Sequence, residues 1–144
     1  MCPHAPYEIE LMMAGVKPVA IIRSDEVSLE MSRHIQSGRI VLIGDYNAEQ
    51  IGLVQVYAQT NKIDEGKEVY ARYFNDNKGY TPLKGKAEVK RIGELLGYSE
   101  IDIACVTQEN YYSFWTSKIL ENTHQMRRWA RKEYMLHFQE QAPT

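Results

Sequence analysis

Residues 81–103 read TPLKGKAEVKRIGELLGYSEIDI, and within them a helix start, an apolar face, a stop and a second start follow at consistent spacing. Pro82 biases Thr81 toward extended backbone, and Lys84-Gly85 continues the loop. Beyond it Val89, Ile92, Leu95 and Leu96 recur at three- and four-residue steps, with Lys86, Glu88, Lys90, Arg91 and Glu94 on the outer faces. The spacing predicts a helix over 86–96. Gly97 stands where a left-handed residue closes such a helix. Ser99-Glu100-Ile101-Asp102 then offers a hydroxyl cap and first-turn carboxylates, so a second helix is expected from Ser99, carrying Ile101, Ala104 and Cys105. Tyr98 is left at the corner between the two.

Toward the N-terminus, EVYARYFN at 68–75 alternates like a strand but also offers Val69/Tyr73 and Tyr70/Phe74 at helical spacing. It is read as a helix, ended by the turn-forming run Asn75-Asp76-Asn77-Lys78-Gly79. IGLVQVYAQ at 51–59 has the β-branched content of a strand, although Asn47-Ala48-Glu49-Gln50 before it reads as a helix start. VAIIR at 19–23 and RIVLI at 39–43, the latter bounded by Gly38 and Gly44, are expected strands. Between them Ser24-Asp25-Glu26 is expected to cap a helix holding Val27, Leu29, Met31 and Ile35 and stopping at Gly38. Residues 7–14 form a short helix in this reading, ended by Gly15 with Pro18 close behind. Two strands separated by a helix fit a βαβ or split arrangement and do not fix whether the pair is parallel.

Toward the C-terminus, Tyr112, Trp115, Ile119, Met126, Trp129 and Leu136 fall on alternating three- and four-residue steps, with Asn122 and Glu133 filling polar gaps in the same stripe. An unbroken helix over 111–139 would measure roughly 43 Å, longer than the diameter of about 30 Å expected for a domain of this size. Two outcomes are open: a break near Asn122-Thr123 that folds both halves onto one core, or a helix over 110–140 that mediates a symmetric dimer through Trp115, Ile119, Met126 and Trp129. Together these elements predict an α+β fold in one domain spanning 1–144, with a small sheet of two to four strands and five or six helices, the C-terminal one longest.

The chain has 144 residues, 44% hydrophobic and 25% charged, with a formal charge of -2. Those are the proportions of an ordinary globular protein, and they give no long-range pull toward nucleic acid or anionic lipid. No apolar run approaches the roughly 20 residues that span a bilayer. With no export signal read in the first residues and only two cysteines, the expectation is a cytoplasmic protein.

No catalytic constellation, metal site or cofactor motif is read from the residues. Cys2-Pro3-His4 resembles half a metal site, but His34, His124 and His137 are scattered and lack ligand spacing. Cys105 has no neighbouring histidine and reads as a small buried hydrophobe. Lys84, Gly85 and Lys86 precede a helix N-terminus, as an anion site would, yet Lys86 is followed by Ala87 where a phosphate loop needs Ser or Thr. The densest basic cluster is Arg127, Arg128, Arg131 and Lys132, a surface for phosphates or an acidic partner. Ten tyrosines, seven of them between Tyr57 and Tyr112, offer rigid amphipathic area suited to interfaces. The expectation is a non-enzymatic cytoplasmic binding protein, such as a small inhibitor of a protein partner, working as a homodimer through a Tyr/Arg-rich surface. The alternative is a nucleotide- or phosphometabolite-binding protein with Arg23, Lys84, Lys86, Arg91 and Tyr98 around the anion. Nucleic acid and membrane are disfavoured as partners.

Overall fold

Three runs rich in β-branched residues pair into one antiparallel sheet, β1 Val19–Arg23, β2 Ile40–Ala48 and β3 Gly52–Gln59, in the order β1-β3-β2. The structure, a computed structural model, describes residues 7–48, 52–75, 79–80, 83–98, 100, 103 and 113–138, and for 48, 75, 79–80 and 113–123 it describes the backbone alone. β3 lies between the other two and is antiparallel to both. The strands at 19–23 and 39–43 are therefore parallel to each other with β3 between them, the split form of the two arrangements that the sequence leaves open.

Strand alternation sorts the side chains onto two faces. Val19 pairs with Ala58 and Ile21 with Val56 on one face, and Ala20 pairs with Tyr57 on the other. The first face is closed by α3 (Ile63–Tyr73) and α4 (Gly85–Leu95), whose Val69, Tyr73, Ile92 and Leu95 join Val19, Val54, Val56 and Ala58 in one apolar cluster. Gly66 lets α3 sit directly on the sheet: a Cβ there would lie 2.7 Å from Ile43 and 2.8 Å from Ala58. The second face is closed by α1 (Glu8–Met13), α2 (Leu29–Gln36) and α5 (Ser113–Phe138), which bring Ile9, Met12, Met31 and Tyr134 against Ala20, Ile22, Ile40 and Tyr57. A short antiparallel bridge pairs β4 (Phe74–Asn75) with β5 (Gly79–Tyr80). The result is the expected α+β architecture, with a three-stranded sheet between two helical layers and a long C-terminal helix.

Several boundaries move. The cap of α2 is Ser28, whose Oγ accepts from the Met31 amide at 3.1 Å; Ser24–Glu26 form only a 3-10 turn, because Val27 is extended and interrupts the helix. β2 does not stop at Gly44 but runs to Ala48, absorbing Ile43 as a bulge between Leu42 and Gly44. The helix start offered at Asn47 is strand instead, with residues 49–51 outside the described set. α3 starts at Ile63, ahead of the segment recognised as helical. The second helix of the opening stretch lies mostly outside the described residues, although Glu100 and Ile103 are helical.

The closure of α4 follows its reading closely. Gly97 has φ 80°, its N–H donates to Glu94 O at 3.1 Å, and the Tyr98 N–H donates to Gly93 O at 2.9 Å, which is the paired-bond ending that a left-handed residue permits. No side chain fits there, since a Cβ would meet Lys17 Cα and Val16 O at 2.7 Å. α5 is one continuous helix of 26 residues, about 39 Å long, so the expected alternative of a break at Asn122-Thr123 is not realised. Among the described residues no helix is long and apolar enough to cross a membrane.

Candidate functional site: the C-terminal helix

The described contacts of α5 with the domain come from one face of its C-terminal half. The Arg127 guanidinium lies 3.8 Å from the Tyr7 ring centroid. One turn on, Arg131 pairs with Glu10 at 3.1 Å and approaches Glu30 at 3.9 Å. Ala130 and Tyr134 are buried, and the Tyr134 hydroxyl meets His34 Nε2 at 3.3 Å. Phe138 stacks edge-on to His34 at 4.9 Å and lies under Arg39 at 5.4 Å. These contacts advance in the same direction along α1, α2 and α5, so the three helices run side by side.

The stripe expected to be buried or paired lies elsewhere on the helix. Trp129 is 46% and Leu136 71% exposed, and seven residues, or about 10 Å of rise, place them on one side of α5. Met126, in the same stripe, is half-buried. For Trp115 and Ile119 the structure describes backbone only. The domain thus grips α5 through Ala130, Tyr134 and Phe138, and the outward side keeps two large apolar groups in solvent. Apolar groups grouped this way on a surface mark contact with a partner more often than chance.

The remaining residues singled out from the sequence are dispersed. Arg23, at the end of β1, is held by Asp25 at 3.3 Å and Glu26 at 3.1 Å. Lys84 precedes α4 and Lys86 opens it, both exposed. Arg91 forms a two-pronged pair with Glu68 at 2.8 and 3.0 Å, and this hydrogen bonding holds the Glu68 carboxyl below its usual range. Tyr98 follows the far end of α4, about 16 Å of helix away from Lys84. The five residues read as an anion site are not gathered around one point. Arg128 is exposed and bonds back to His124 O at 3.4 Å, so of the three arginines on α5 two are engaged with the domain. Of the described tyrosines, Tyr57, Tyr73 and Tyr134 are buried and Tyr7, Tyr46, Tyr70 and Tyr98 half-buried. Burial and then the Asp45 charge push the Tyr57 hydroxyl upward.

Two buried polar groups escape sequence reasoning. Lys17 is 1% exposed; its Nζ donates to Leu96 O at 2.6 Å, faces Glu8 at 3.2 Å and lies 5.2 Å from the Tyr98 ring. It ties α1 to the carbonyl end of α4, where a cation meets the negative end of the helix dipole. No local pattern distinguishes it from a surface lysine. His34 is 4% exposed and falls three residues after Met31 on the inward side of α2, a spacing that does mark it. Among the described residues no three His, Cys, Asp or Glu side chains gather as a metal site requires. Comparison with protein-family models, with curated proteins and with solved structures gave no match.

Proposed function

We propose that the protein is a non-enzymatic binding protein of the cytoplasm that acts through α5, pairing with a second copy along the outward stripe and offering the adjoining basic flank to a protein partner. The observation that carries this reading is the exposure of Trp129 and Leu136 on one side of an unbroken helix. They continue a three-and-four repeat that begins at Tyr112, and a repeat of that period is the pattern by which two helices interlock. A second copy is the occupant this pattern fits, because identical stripes are complementary across a twofold axis. Asn122 and Glu133 within the stripe would set its register at some loss of stability. The aromatic contribution to this surface comes from Trp129 more than from the described tyrosines, which are buried or half-buried.

The test is sedimentation of the wild type and of a Trp129→Glu, Leu136→Glu double variant. Because both side chains are exposed, the variant is expected to keep its circular dichroism and become a monomer. A wild type that is monomeric at high micromolar concentration overturns the pairing. The alternative, an anion site at the start of α4, draws support only from the exposure of Lys84 and Lys86 beside a helix N-terminus. A thermal-shift screen of nucleotides tests it, since ligand at 100 times its dissociation constant stabilises by about 2.7 kcal/mol.

A further inference from the structure

His34 occupies the middle of the contact between α2 and α5, and its protonation state follows from its neighbours. Nε2 lies 3.3 Å from the Tyr134 hydroxyl, while Nδ1 faces no partner among the described residues. A buried N–H without an acceptor is costlier than a bare lone pair, so the neutral ring carries its proton on Nε2, where the hydroxyl oxygen accepts it. Nδ1 is then a bare lone pair, buried and without a hydrogen-bond partner among the described residues. The rings of Tyr134 and Phe138 close on the imidazole edge-on, at 5.8 and 4.9 Å. The groups that act on it are Arg39 ahead of β2, Glu30 on α2 and the Tyr134 hydroxyl on α5; farther along the same contact stand Glu10 on α1 and Arg131, Glu133 and His137 on α5. Glu10 and Glu30 both face Arg131, and His137 lies 3.8 Å from Glu133.

We propose that His34 is a proton-sensitive latch for α5: with a neutral ring it holds residues 124–138 against α2, and on taking up a proton it places an N–H without an acceptor inside that contact and releases the helix. A buried donor left unsatisfied destabilises its surroundings by more than the bond it replaces, and an imidazolium in an aromatic enclosure adds the penalty of a buried charge. The direction of the linkage agrees. Burial, followed by the Arg39 charge, pushes the docked imidazole below its ordinary value of 6.5, against a smaller opposing pull from Glu30. The undocked ring binds protons first as pH falls, so docking is at full strength above pH 6.5 and weakens below it, by up to about tenfold per pH unit. The latch concerns how α5 is held to its own domain and stands whether or not a second copy pairs with it.

The experiment is hydrogen exchange on the full chain between about pH 7.5 and 5, corrected for intrinsic rates, with residues 63–73 as the internal reference. In the wild type, 124–138 is expected to lose protection as the pH falls below 6.5 while 63–73 keeps it. His34→Gln still donates to the Tyr134 hydroxyl but takes up no proton, and is expected to retain protection at acid pH. His137→Gln changes the exposed histidine and is expected to leave the acid release in place. Equal release in His34→Gln, or none in the wild type, overturns the latch. Nuclear magnetic resonance titration of the wild-type His34 ring gives a reading that needs no variant: titration below 6.5 supports the proposal, and titration at or above it overturns it.

Discussion

On one face of the sheet α3 and α4 close over Val54, Val56 and Ala58 with Val69, Ile92 and Leu95, and a glycine brings helix and strand into direct contact. On the other, α5 closes over Met31, Ile40 and Tyr57 with a tyrosine, while its flanks are held by arginines against Tyr7, Glu10 and Glu30. Apolar contacts of the first kind are indifferent to salt and proton concentration at neutral pH; ion pairs and cation–ring contacts at the surface are not. The difference teaches that α3 and α4 rest on the sheet mainly through apolar burial, with their Arg91–Glu68 pair at the margin, while α5 is attached largely on terms that solution conditions can change.

The largest test strikes the residue that joins the layers. Lys17→Met removes a buried ammonium that faces Glu8 and bonds Leu96 O, and breaking one half of a buried pair typically costs about 3 to 5 kcal/mol. Urea unfolding is expected to show that loss, and adding Glu8→Gln is expected to recover part of it; a fully additive double variant would mean that the two side chains do not depend on each other. Next is Ile92→Ala, which empties part of the first core and is expected to lower stability by about 2 to 5 kcal/mol. Its unfolding should remain a single transition, with no selective loss of α5.

Tyr134→Phe keeps the ring but removes the hydroxyl that meets His34 Nε2, at an expected loss of about 1 kcal/mol. Hydrogen exchange should report it in 124–138 before it appears in 63–73; a uniform loss across both would erase the distinction between the layers. The smallest effect comes from salt. Raising ionic strength from about 0.1 to 1 M shortens the screening length from about 10 to 3 Å, and the Arg131 pairs are expected to weaken by less than about 1 kcal/mol. Exchange within α5 should quicken slightly, and that of α3, whose exposed Glu68–Arg91 pair is screened too but whose inner face rests on apolar burial, should quicken less.

How far the sequence could be read follows the same division. α4, its closing glycine and β1 were legible because local chemistry alone determines them: a left-handed residue after Leu96 and a compact β-branched run leave few alternatives. The α2 cap was misplaced because Ser24 and Ser28 offer the same chemistry, and only the extended Val27 between them decides. β2 was cut short at Gly44, since glycine in a strand reads as an end; here the Tyr70 ring packs over that glycine and its hydroxyl bonds Asp45 O at 2.8 Å, so the strand continues beneath it. The apolar stripe of α5 was visible as a pattern, but periodicity does not say which of two apolar sides meets the domain. Ala130, too small to weigh in such a pattern, is the residue that lets the helix approach. Four of the five anion-site residues were taken from in or beside one helix in sequence, and the length of that helix separates Lys84 from Tyr98.

The bulge in β2 has a further consequence for how molecules meet one another. β2 and β1 form the two margins of the sheet, and among the described residues no strand pairs with either outer edge. An open edge nine residues long is a template on which another chain can add in register, the first step toward fibrous aggregation. The extra residue at Ile43 throws the comb of donors and acceptors out of step and increases the local twist. An incoming strand aligned with one half of β2 is misaligned with the other, so the margin offers two short segments where it would otherwise offer one long one. One extra residue thus guards an edge that the rest of the fold leaves open.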